Sequence, residues 1–98
     1  MWSNPFNTAE AQALAQEAAN LILGQLSLAS QHSDKKFHAK ADRVLRRVEQ
    51  RIAQHKKTNK INWYQRSRAS NTFLWALKDG GCAEDYANEL TQWFVLRL

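Results

Sequence analysis

Residues 34–57 read DKKFHAKADRVLRRVEQRIAQHKK, and the spacing within this stretch decides the fold class. Phe37, Ala41, Val44, Leu45, Val48 and Ile52 recur at steps of three and four. At about 100° per residue they fill less than half of a helical wheel, the pattern of an amphipathic helix with one buried stripe. Lys36, Lys40, Arg43, Arg47 and Arg51 fall on the other side, with Lys35 and Arg46 beside them. The acids Asp42 and Glu49 sit together on one flank. Asp34 is the expected N-cap, and the polar Thr58-Asn59-Lys60 ends the helix.

Working outward, the residues after this break predict a helix from about Trp63 to Asp79. Asn62 caps it, Gln65 completes a capping box, and Ile61 precedes both. Trp63, Ser70, Phe73, Leu74 and Leu77 form its expected core face. Tyr64, Arg68, Asn71 and Trp75 make a second stripe, more than a quarter turn away. Gly80-Gly81 stops the helix, because glycine accepts the left-handed backbone that a C-cap needs. A last helix follows from about Ala83 to residue 97. Glu84 and Asp85 in its first turn complement the helix dipole, and Tyr86, Ala87, Leu90, Trp93 and Phe94 line its core face.

Before the basic stretch, a helix is expected over about residues 7–30. Asn7 would cap it with Glu10 three residues on, and Phe6 would staple onto Ala11. Asn4-Pro5 is a competing start. Ala11, Leu14, Ala18, Leu21, Ile22, Gln25 and Ala29 share a broad face, and Gly24 allows a kink or an early end. No segment alternates apolar and polar residues as a half-buried strand would. With 98 residues, one proline and three glycines, the expected product is a single all-α domain. Its four helices would form a compact four-helix bundle or an orthogonal helical array. Four Trp, two Tyr and four Phe supply the bulk for its core.

The net charge of +5 is unevenly placed. Residues 34–68 carry twelve Lys and Arg against Asp34, Asp42 and Glu49, a net of +9, while each flanking third carries −2. Such asymmetry points to an anionic partner. Lys36, Lys40, Arg43, Arg47 and Arg51 would be phosphate contacts. Lys56, Lys57, Lys60, Arg66 and Arg68 would continue the patch around the turn, together with His38 and His55. Charge runs are most often solvated faces that mix signs along i,i+4 pairs. This face is nearly all positive, which favours nucleic acid or an acidic protein as its companion.

Two further surfaces draw attention. Aromatics beside Arg68 suit base stacking or a protein interface, which makes Tyr64, Asn71 and Trp75 candidates. The simpler reading packs this helix between two neighbours and buries both stripes. At the C-terminus, Val95 and Leu96 point away from the core face and would serve a homodimer contact, unless the last turn tucks against the first helix. A helix-turn-helix that reads DNA with the last helix is excluded, because Glu84, Asp85 and Glu89 would face phosphates.

Enzyme signatures are absent. His32, His38, His55 and Cys82 lack metal-ligand spacing, no glycine-rich phosphate loop occurs, and the carboxylates form no acid–base pair. Cys82 near a helix N-terminus would have its pKa lowered by the dipole, but no base accompanies it and a buried structural role is simpler. No cofactor and no metal is expected. One cysteine fits a reducing compartment. No leader pattern and no apolar run of about 20 residues is seen. A soluble cytoplasmic protein without membrane association is therefore expected. The best functional expectation is a non-catalytic module that engages nucleic acid or another polyanion through the basic helix. A helical protein–protein interaction or self-association module is the alternative.

Overall fold

The computed structural model describes residues 7–26 and 35–98, the side chains of 35–37 excepted. The expected Asn4-Pro5 start, the Phe6 staple, the Ala29 core position, the Asp34 cap and the side chains of Lys35, Lys36 and Phe37 lie outside the described residues. Four helices form an all-α bundle: α1 (Ala9–Gln25), α2 (Lys35–Thr58), α3 (Trp63–Asp79) and α4 (Glu84–Arg97). No strand occurs among the described residues.

Side-chain contacts give the helix directions. Gln65 Nε2 donates to the Asn7 carbonyl at 3.0 Å, and Gln12 Nε2 donates to Thr72 Oγ1 at 3.2 Å. Leu23 lies against Gly80. Hence α1 and α3 run parallel and make the most extensive helix contact of the fold. Arg51 pairs with Glu17, and Glu10 and Asn59 line one cleft, so α2 descends antiparallel to α1. The rings of Phe73 and Phe94 stack at 4.2 Å and 7°, which sets α4 antiparallel to α3. The order is up-down-up-down, with α1 and α3 at the centre.

One continuous core results. Leu14, Ala15, Ala18, Ala19 and Ile22 of α1 meet Val48 and Ile52 of α2, Ala69, Phe73 and Leu77 of α3, and Ala87, Leu90 and Phe94 of α4. The alanines of α1 leave room for close packing of its neighbours, and burial of each large side chain stabilises by about 1.5–3 kcal/mol before entropy is counted.

The element ends carry their chemistry on the surface. Asn62 Oδ1 accepts from the Gln65 backbone N–H at 2.8 Å, and Gln65 Oε1 accepts from the Asn62 N–H at 3.0 Å, completing the expected capping box. At the end of α3, the Cys82 N–H donates to the Leu77 carbonyl and the Gly81 N–H to that of Lys78. Gly81 has φ +94°. These bonds define a Schellman motif, with the left-handed residue where glycine stands.

Several local expectations are corrected. Thr8, not Asn7, occupies the N-cap position of α1 and makes no side-chain cap bond. Asn7 sits one residue outside, where its Oδ1 accepts from the Ala9 N–H. The helix stops at Gln25, with Leu26 extended, so the early end that Gly24 allowed takes the place of an end near residue 30. Gln25 is exposed and Leu21 only half-buried.

In α3 the buried row is Ala69–Phe73–Leu77. Phe73 and Leu77 are buried as expected and Phe73 stacks on Phe94, while Ala69 completes the row and Ser70 and Leu74 are only half-buried. Trp63, expected in the core, is carried to the rim of the first turn and is 75% exposed. The second stripe is not buried either. Arg68 and Asn71 are exposed, and Trp75 is 54% exposed, because α3 is covered by α1 and α4 on one side only.

Candidate polyanion-binding face

The buried row Ala41–Val44–Val48–Ile52 of α2 packs inward, and this orientation places every cation of the helix. Lys40, Arg43, Arg46, Arg47 and Lys57 are exposed within a sector of about 120°, and they span about 26 Å along the axis. None of them has a carboxylate partner among the described residues. Arg46, which the sequence placed only beside the row, belongs to this face.

Arg51 and Lys56 diverge from it. Arg51 stands on the flank that faces α1, where its Nε donates to Glu17 Oε1 at 3.1 Å and the side chain is half-buried. Lys56 stands on the opposite flank and donates from Nζ to the Arg97 carbonyl at 3.0 Å. Each is partly committed to holding α2 in place. Lys60 is exposed in the turn that follows, so the face continues toward α3.

Arg66 and Arg68 do not join in one patch. At 100° per residue they point about 160° apart. Arg68 is exposed, whereas Arg66 is half-buried. Arg66 precedes Ala69 by one turn in the same row, and its Nε is buried without a hydrogen-bond partner. It stands at the head of the core row, half-buried and apart from the exposed Arg68.

The C-terminal turn also departs from expectation. It makes polar contacts with α2: Arg97 Nε lies 3.5 Å from Glu49 Oε1, and Leu98 is buried in the common core. Arg97 Nη1 donates to the Trp93 carbonyl at 2.9 Å, and the guanidinium lies 4.2 Å over the Trp93 ring. Val95 is half-buried, while Leu96 projects outward, 83% exposed.

On the outer side of α3, Trp63 and Tyr64 meet edge to face with centroids 5.8 Å apart. Lys78 Nζ lies 5.0 Å over the Trp75 ring and pairs with Glu84 at 3.3 Å.

Among the described residues no three of His, Cys, Asp and Glu gather as metal ligands would. Cys82 is buried behind the Gly80-Gly81 turn, and burial pushes its thiol pKa up. Desolvation therefore outweighs the dipole effect expected from the helix N-terminus. No helix among the described residues is long and apolar enough to cross a membrane.

Comparison with protein-family models, curated proteins and solved structures finds no match to the chain.

Proposed function

We propose that this chain is a non-catalytic binding module that engages nucleic acid through the outer face of α2. One observation carries the reading: Lys40, Arg43, Arg46, Arg47 and Lys57 stand exposed on one side of a single helix with no carboxylate partner among the described residues. Like charges so gathered repel one another, and a phosphate backbone relieves that repulsion while releasing its own counterions. Contacts of this kind position a backbone without reading sequence. An acidic protein would meet the same face by the same electrostatics, and a reducing cytoplasmic setting accords with the single cysteine.

Titration of labelled DNA and RNA at several salt concentrations tests the reading. Affinity is expected to fall by about 0.7–0.9 decade per decade of salt for each phosphate contacted. Arg43→Glu with Arg47→Glu should weaken binding at least tenfold and flatten that slope. Absence of binding above background at low salt overturns it.

The exposed Leu96 beside Val95 favours a second reading, self-association into a homodimer through the C-terminal turn. Sedimentation at high protein concentration decides it: a strict monomer removes this alternative.

A further inference from the structure

Resting on the nucleic-acid reading of α2, we infer that the outer face of α3 is a stacking surface for unpaired bases, so that the partner is a single strand rather than a duplex. At 100° per residue, Trp63, Ser67, Asn71, Trp75 and Arg68 fall within a sector of about 140°, and all five are exposed. Two of the four tryptophans of the chain are thus spent on a surface, one of them three-quarters exposed, although the small core would gain from burying them. Their backbone positions lie about 18 Å apart along the axis.

The arrangement fits bases better than a protein partner. Protein hot spots gather apolar residues at the centre and leave polar groups at the rim. Here the order is reversed: Ser67 and Asn71 lie between the rings, and the tryptophans mark the ends. Separated rings suit separate bases, each of which offers a π-face whatever its identity. Charge complementarity points the same way. Among the residues of α3 the sector holds no Asp or Glu; Lys78 lies within it, over one face of the Trp75 ring and paired with Glu84 of α4, and Arg68 has no carboxylate partner among the described residues. Lys60, also exposed, precedes Trp63 by three residues, at most about 11 Å of chain. Through that turn the cations of α2 lead onto the aromatic face, where a flexible strand can follow both surfaces. In a duplex the bases are stacked inside and offer these rings nothing.

The full chain should be titrated at low salt with a labelled oligo-deoxythymidine of about twelve nucleotides, within the range such surfaces cover, and with a duplex of equal length. The expected result is tighter binding of the single strand. Trp63→Ala with Trp75→Ala should cut single-strand affinity at least tenfold and leave duplex affinity within about twofold. Both sites are exposed, and an unchanged melting temperature would confirm an intact fold. Trp63→Phe with Trp75→Phe should recover most of the loss, since a smaller ring still stacks.

Equal affinity of the double alanine variant and the parent for the single strand would overturn the inference. Binding would then be backbone electrostatics alone, and the reading of α2 would stand without it. Concentration-dependent self-association abolished by the same two substitutions would overturn it in favour of an interface between copies. Failure of the parent chain to bind either oligonucleotide would overturn both readings together.

Discussion

Cys82 and Tyr86 show how a single position acquires its chemistry from its surroundings. Cys82 follows the left-handed Gly81 and turns inward, where burial raises its thiol pKa above the ordinary value near 9. Tyr86 is raised above its ordinary value near 10, first by burial and then by the charges of Cys82, Glu89 and Asp42. A group whose folded pKa lies above its unfolded one keeps its proton longer in the native state. Its stabilising share is full below the unfolded value and is lost as pH rises through the folded one. Thermal stability is therefore expected to be flat with respect to these two groups below about pH 9 and to decline above it. Melting temperatures of the parent and of Cys82→Ala across this range check the point, because the variant should decline less steeply. Arg66 is a second case at this scale. Its charge reads as surface, yet its place in the row of Ala69 and Phe73 half-buries it. No property of the residue itself announces this.

At the scale of elements, ends are set by local chemistry that the chain displays openly. Asn62 with Gln65 and the Gly80-Gly81 pair were legible because caps act over three or four residues. The end of α1 was not. Its apolar spacing continues to Ala29, and only the weak Gly24 signals the stop at Gln25. The three glycines separate by experiment. Gly24 is helical, and an added Cβ there meets nothing within 4 Å, so Gly24→Ala should stabilise by up to about 1 kcal/mol. Gly81 sits at φ +94°, and Gly81→Ala should cost about 1–2 kcal/mol. At Gly80 a Cβ would lie 2.5 Å from Leu23 Cδ1, so Gly80→Ala must displace that side chain. Denaturant unfolding of the three variants orders them, and a destabilised Gly24→Ala would contradict the account of α1.

For the whole molecule the decisive contact is the stacked pair Phe73–Phe94. It joins α3 to α4 at the centre of the buried row of α3, and Trp63 stands exposed outside that row. Phe73→Ala is expected to cost about 3–5 kcal/mol, a large share of the stability of a domain this small. Its effect should extend to the outer face of α3, since Trp63 and Trp75 keep their positions only while that row stays seated. Urea unfolding measures the first expectation, and loss of single-strand affinity in the still-folded variant measures the second.

The all-α class, the starts of α3 and α4 and the inward stripe of α2 follow from the amino-acid sequence alone. They depend on spacings of three to four residues and on caps that close within one turn. The tertiary structure decided which cations remain available, since α1 supplies Glu17 to Arg51 and α4 supplies its last carbonyl to Lys56. It also decided that the aromatic stripe of α3 meets solvent. Periodicity says that a helix has an apolar side, but the number of neighbours that cover it depends on contacts between residues distant along the chain.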